Sequence, residues 1–191
     1  MQFPVLLQDA NYLWLCFTIY FLTKYRPVSV RRNDIVSIFS LERLAVLLGV
    51  PLLFFPRTHF GLLAIRIHAN YALALAGFIL VIAGLAFSAW ARDILGRNWS
   101  GRVIIQNGHQ LVTAGPYAYV RHPLYTGLIV AMVGTALVTA DIGAVLGFVF
   151  ALLFIVFKAD REERLLETEF GPAYATYRQR TGGLLPRLAH V

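Results

Sequence analysis

The chain has 191 residues, of which 58% are apolar and only 14% charged, where an ordinary soluble domain carries about 25% charged residues. That balance argues against a soluble helical bundle and for a small polytopic membrane protein with a single domain over 1–191. The net charge of +7 falls in short loops, which favours phospholipid headgroups as partners over nucleic acid, and the lone Cys16 excludes an internal disulfide or a cysteine-rich metal site.

The elements in chain order predict an all-α fold with five transmembrane helices and a cytoplasmic helical tail. The first span runs from Val5 to Thr23. No basic n-region and no small-residue cleavage site accompany it, so it is expected to be retained. A basic loop with Pro27 leads to a second span, Ile35 to Phe55, which carries Glu42 and Arg43. A connection over Pro56–Asn70 precedes the third span, Tyr71 to Leu95, and these three spans make up an N-terminal half, 1–95. A polar linker, Gly96 to Arg121, leads to the fourth span, Pro123 to Thr139. Ala140-Asp141 reads as a tight turn into the fifth span, Ile142 to Phe157. The last two spans are short, and a closely packed hairpin is expected of them. A helical stretch from Asp160 to Phe170 opens the tail, Gly171-Pro172 interrupts it, and Pro172 can start a second short helix as its first residue.

Charge fixes the expected orientation. Of the 17 basic residues, Arg57 and Arg66 fall in the second loop and Arg43 falls inside the second span; the others lie in loops one and three and in the tail, with Arg92, at the end of the third span, counted with loop three. The positive-inside rule then puts the N-terminus outside and the tail in the cytoplasm.

Chemistry concentrates in GPYAYVRHPLYTG, Gly115 to Gly127, at the mouth of the fourth span. Polar and basic groups are costly there, which makes the segment a functional-site hypothesis by default. With the linker, this region gathers Asn98, Trp99, Ser100, Gln106, His109, Tyr117, Tyr119, Arg121, His122 and Tyr125. Pro123 predicts an extended His122 and a helix beginning at Pro123, whose free N–H groups would make a local anion site. A second cluster, Lys158, Arg161, Glu162 and Glu163, lies where the fifth span leaves the bilayer, on the same side. Facing each other, the two clusters suit a zwitterionic ligand with an aromatic part. Each residue alone also has a plainer reading: Arg121 and Lys158 as snorkelling helix ends, the tyrosines as an interfacial belt, the glutamates as a solvated helix start. The His and Glu spacings fit no HExxH-type pattern, and no metal is expected.

GRNWS (Gly96–Ser100), HQLVTAGPYAYVRHPLYTG (His109–Gly127) and EERLLETEFGPAYATYRQR (Glu162–Arg180) resemble, in that order, the isoprenylcysteine carboxyl methyltransferase family. The resemblance covers about the C-terminal half; the N-terminal half matches only as apolar spans. It implies an integral membrane enzyme using S-adenosylmethionine in a pocket capped by linker and tail. The implied cofactor contacts are His109, Gln110, Leu111 and Val112, then Tyr117, then His122, Pro123, Leu124 and Tyr125, then Glu162, with Gln106 as a polar contact upstream. A family arginine that meets the substrate carboxylate falls at Lys158, which keeps the charge and loses the bidentate fork. Another, in the run TGGLLP, falls nearest Gly183. The implied reaction is methyl transfer to a lipophilic acceptor, most simply a prenylcysteine-like carboxylate oriented by Lys158 or Arg121. Phospholipid N-methylation, a sterol-type reduction, and a non-catalytic scaffold or transporter are the competing readings.

Overall fold

The structure is a computed structural model that describes residues 4–24, 30–33, 41–54, 67, 69–99 and 103–187, with backbone alone for 4, 30–33, 41–46 and 51. The side chains of Glu42 and Arg43, and most of the connection from 56 to 70, lie outside the described residues. Among the described residues six α-helices run in the order α1 (Pro4–Thr23), α2 (Leu41–Phe54), α3 (Tyr71–Leu95), α4 (Pro123–Thr139), α5 (Ile142–Phe170) and α6 (Pro172–Arg180). Val5–Thr23, Tyr71–Asn98 and Ile142–Phe170 are long and apolar enough to cross a bilayer. The protein is a membrane-integral helical protein. α4 is apolar but shorter, and the described part of α2 has 14 residues where a span over 35–55 is expected.

Local chemistry sets the helix ends. Asn70 caps α3, its side chain accepting from the Leu73 N–H at 2.9 Å. Ala140 takes a left-handed turn (φ 51°), and Asp141 then caps α5 by accepting from the Ala144 N–H at 2.7 Å. Gly171, at φ 48°, closes α5, and Pro172 begins α6. The turn at 140–141 and the break at 171–172 thus lie where the sequence puts them.

Three expectations are corrected. The stretch Asp160–Phe170 is no separate tail helix. Nothing between Phe157 and Asp160 breaks the backbone, so α5 runs unbroken over 29 residues. The fold is not purely helical: β1 (Val30–Asn33) pairs antiparallel with β2 (Ile104–Gln106), joining the first loop to the linker. Finally, α4 and α5 share their turn, but neither packs most closely on the other; α4 lies against α3 and α5 against α2.

Glycine sets both of these seams. A Cβ on Gly77 would lie 2.7 Å from the Gly134 carbonyl oxygen, and one on Gly127 would lie 2.5 Å from that of Gly84. The pairs 77/134 and 84/127 advance in opposite directions, so α3 and α4 are antiparallel with backbones in contact, as small residues allow between helices in lipid. At the second seam a Cβ on Gly147 would meet the Leu53 nitrogen at 2.3 Å. α1 closes against the first seam, where Trp14 Nε1 donates to Thr135 Oγ1 at 2.9 Å beside Ala10, Val81, Leu85 and Ala131.

Candidate active site

The α3–α4 seam ends at the site. Ser88 Oγ donates to the Leu124 carbonyl at 2.9 Å, and Ala91, Tyr117 and Leu124 form a buried cluster packed by Trp99, Val112 and Tyr125. This holds the first turn of α4 against the last turns of α3. Helix α4 begins at Pro123 as expected; His122 before it has φ −123° and ψ 56°, short of a fully extended strand.

The segment after α6 straps this corner down. The Arg121 N–H donates to the Gly182 carbonyl at 2.8 Å, the Gly182 N–H to Tyr119 at 3.1 Å, and the His122 N–H to Gly183 at 3.2 Å. Thr126 Oγ1 donates to the Leu184 carbonyl at 2.6 Å, and Tyr177 Oη to the Tyr117 carbonyl at 2.7 Å. Gly182 has no room for a side chain, since a Cβ would fall 1.7 Å from the Leu185 carbonyl oxygen. At Gly183 a Cβ would meet only Arg121 Nη2 at 3.5 Å and Glu163 Oε1 at 3.9 Å.

Helix α5 brings Glu162 and Glu163 to His122 and Tyr125. Tyr125 Oη donates to Glu162 Oε1 at 2.6 Å, and the Tyr125 and His122 rings stack with centroids 5.7 Å apart. His122 Nδ1 lies 3.6 Å from Glu162 Oε2, and Nε2 lies 3.2 Å from Glu163 Oε1. Arg121 donates from Nε to Glu163 Oε1 at 2.9 Å, pairs with it through Nη2 at 2.9 Å, and donates from Nη1 to the Thr181 carbonyl at 2.6 Å. Burial works against the Glu163 carboxylate, but His122 and Arg121 outweigh it and bring its pKa to about 2. Burial likewise works against a charged His122, and the hydrogen bonds and charges of Glu162 and Glu163 outweigh it, so the ring titrates above its ordinary value. Burial lowers His109 and pushes Tyr117 and Tyr174 up, with Tyr177 raised to about 12, so these phenols are neutral donors.

Apart from Glu163, these side chains border one cavity between the linker, the start of α4, the polar end of α5 and α6. Its empty space, with the open mouth and the solvent in it included, is about 840 Å³. Of the expected site residues, His109, Gln110, Leu111, Val112, Tyr117, Arg121, His122, Leu124, Tyr125 and Glu162 line it. Gln106, Pro123 and Lys158 do not. Gln106 sits on β2 and is buried, its amide donating to the Trp99 carbonyl at 3.2 Å. Pro123 is buried beneath the first turn of α4. Lys158, one turn before Glu162, holds its Nζ 5.6 Å from the Tyr125 ring centroid and 5.8 Å from that of Phe154. Sequence reasoning missed Tyr174 and Tyr177, which close the cavity from α6, and Ile104 and Ile105 from β2. The spacing of three between the two tyrosines, just after Gly171-Pro172, was the available signal. His109 Nδ1 is buried with no hydrogen-bond partner among the described residues, which leaves an acceptor or donor in the cavity wall. No cluster of three His, Cys, Asp or Glu that could hold a metal ion occurs among the described residues.

The model of the isoprenylcysteine carboxyl methyltransferase family matches residues 75–168. The cobalt-zinc-cadmium resistance protein CzcN of Cupriavidus metallidurans is 36% identical over 99 residues, covering 50% of this chain and 44% of that protein. The protein-S-isoprenylcysteine O-methyltransferase of Rattus norvegicus is 34% identical over 124 residues, covering 62% of this chain and 43% of the rat protein. The solved structure of the eukaryotic intramembrane Ras methyltransferase ICMT superposes with a TM-score of 0.55 at 26% identity, covering 80% of this chain and 54% of that one. The chain therefore spans about half the length of the relatives it matches.

Proposed function

Through residues 75–168 the chain belongs to the isoprenylcysteine carboxyl methyltransferase family, and we propose that it transfers a methyl group from S-adenosylmethionine to the carboxylate of a lipophilic, prenylcysteine-like acceptor. One observation carries the reading. Two segments 37 residues apart meet as the Tyr125–Glu162 pair at 2.6 Å, in a cavity walled by Trp99, Tyr117, Tyr174 and Tyr177 and by the His109–Val112 stretch.

Those residues fit a sulfonium donor with a nucleoside part. Aromatic faces and a carboxylate attract a cation, Glu162 can accept from an ammonium or a ribose hydroxyl, and His109 Nδ1 leaves a polar contact open. When bound, the donor supplies a methyl group already activated by its positive sulfur. The chain's task is then to bring two partners into line, so that positioning carries most of the rate. A carboxylate acceptor is ionised at neutral pH and asks for no general base. Transfer would join the methyl carbon to an acceptor oxygen and break its bond to sulfur, whose electron pair would stay on sulfur. Lys158, beside Tyr125, is the cation proposed to orient the acceptor. Arg121, proposed from sequence for the same task, serves Glu163 and the strap.

In the membrane, the N-terminus is placed outside and the linker and tail in the cytoplasm by the positive-inside rule. The β1–β2 pairing supports a shared side for loops one and three. The acceptor is expected to enter from the lipid and the donor from the cytoplasm. The test is methyl transfer by the full chain in lipid nanodiscs to a prenylcysteine analogue and, in parallel, to phosphatidylethanolamine. Methylation of the analogue alone supports the proposal; methylation of phosphatidylethanolamine alone, or of neither, overturns it.

A further inference from the structure

Each ring nitrogen of His122 faces a carboxylate: Nε2 lies 3.2 Å from Glu163 and Nδ1 lies 3.6 Å from Glu162. A neutral imidazole has one N–H and one lone pair, so a neutral ring would turn its lone pair on one of the two. Only the doubly protonated ring suits both. Glu162 borders the cavity and Glu163 does not; Glu163 stands behind the ring, its side chain 17% exposed, held by Arg121. Resting on the methyl-donor reading above, we propose that Glu163 is a positioning residue: it keeps His122 doubly protonated, and His122 in turn fixes the Glu162 carboxylate that, with Tyr125, faces the cavity.

The surroundings of the ring agree. From its own segment comes Arg121, which meets the same oxygen, Glu163 Oε1, that His122 Nε2 faces. From α4 comes Tyr125, stacked on the ring. From α5 come Glu162, Glu163 and, beside Tyr125, Lys158. From α6 come Arg178, its Nε 3.8 Å from Glu163 Oε2, and the phenols Tyr174 and Tyr177, both within the field of Arg121 and Glu163. Arg121 and Arg178 both meet Glu163, and the doubly protonated ring sets its positive charge between Glu163 and Glu162. Tyr125 donates to Oε1 of Glu162 while the ring faces Oε2, so the carboxylate is fixed at both oxygens. Loss of the ring proton sets a lone pair against Oε2, loosens Glu162, and should weaken ligand binding as pH rises.

The test uses the full chain in nanodiscs with two readouts between about pH 5 and 8: the titration and tautomer of His122 by NMR with labelled histidine, and S-adenosylmethionine affinity by calorimetry. In the wild type both ring nitrogens should be protonated at pH 6.5, the ordinary histidine value, and affinity should fall as the ring deprotonates. Glu163→Gln should lower the His122 titration, and the fall in affinity with it, by about one pH unit or more. Glu163→Asp should restore part of that shift. Arg121→Gln should move the titration the opposite way, because it removes a positive neighbour and leaves Glu163 in place. This last variant separates positioning from a simple clasp, for which losing either partner acts alike. A single neutral tautomer in the wild type, or shifts in the same direction for Glu163→Gln and Arg121→Gln, overturns the proposal. A wild type that binds no S-adenosylmethionine while the His122 shifts follow this pattern overturns the donor reading and upholds the role of Glu163.

Discussion

Gly127→Ala is a one-carbon change at the point where the site is bolted to the fold. The added Cβ would lie 2.3 Å from Ser88 Oγ, 2.5 Å from the Gly84 carbonyl oxygen and 2.8 Å from the Ser88 nitrogen. Two of those atoms are backbone in the middle of α3 and cannot swing aside. The helices must separate or shift, and Ser88 must release the Leu124 carbonyl it holds at 2.9 Å. Overpacking of this kind costs about 1–3 kcal/mol and the lost hydrogen bond about 1 kcal/mol, so a loss of about 2–4 kcal/mol is expected. Gly183→Ala is the control, since its Cβ meets only Arg121 and Glu163 at ordinary contact distances, 3.5 and 3.9 Å. Reversible unfolding of the two variants in mixed micelles, against wild type, measures both. The Gly127 variant should also lose donor affinity, because Tyr125 lies two residues before it. A Gly127→Ala protein within about 0.5 kcal/mol of wild type, the range of an ordinary surface change, would refute a seam in which α3 and α4 meet backbone to backbone.

Tyr125→Phe removes a single hydrogen bond to a carboxylate; such bonds contribute about 1.5–3 kcal/mol, so S-adenosylmethionine should bind about tenfold or more weakly in calorimetry. Lys158→Gln should leave donor affinity within about twofold while turnover of a carboxylate acceptor falls about tenfold or more, since the orienting cation is lost; an equal loss in both would place Lys158 elsewhere in the mechanism. The clasp between α5 and the strap has a pH window. Glu163 has a lowered folded-state pKa, so its contribution is present above the ordinary 4.5 and is lost as pH falls toward about 2. His122 has a raised one, so its contribution is present below the ordinary 6.5 and is lost as pH rises through the higher folded value. Protection of the tail from proteolysis should therefore be greatest between 4.5 and 6.5, and His122→Gln should abolish its alkaline decline.

Local punctuation was legible in the chain. Ala140-Asp141 and Gly171-Pro172 mark turns through a cap and a proline, and Pro123 marks a helix start; each works within a few residues. The meeting of Tyr125 with Glu162 could be read because a short turn forces α4 and the first part of α5 to return to one side. What escaped is non-local. Three residues of β2 pair with β1 across some seventy positions, and no short apolar triplet announces a partner so distant. Arg121 looks like any basic helix end until the strap supplies Thr181 and Gly182 to it. The continuity of α5 was missed because hydropathy stops at Phe157 while helical hydrogen bonding does not. The glycines at 77, 84, 127 and 134 do carry a readable signal, a spacing of seven on both helices, and it names the α3–α4 seam that the expected α4–α5 hairpin overlooked.

The most direct measurement is an experimental structure of the full chain in a lipid nanodisc with S-adenosylmethionine added. The nucleoside and sulfonium should be enclosed between His109–Val112, Tyr125 and Glu162, with Tyr174 and Tyr177 closing over them. A donor molecule seated anywhere else, or a cavity still without one at saturating concentration, would contradict the assignment of this corner as a methyl-transfer site.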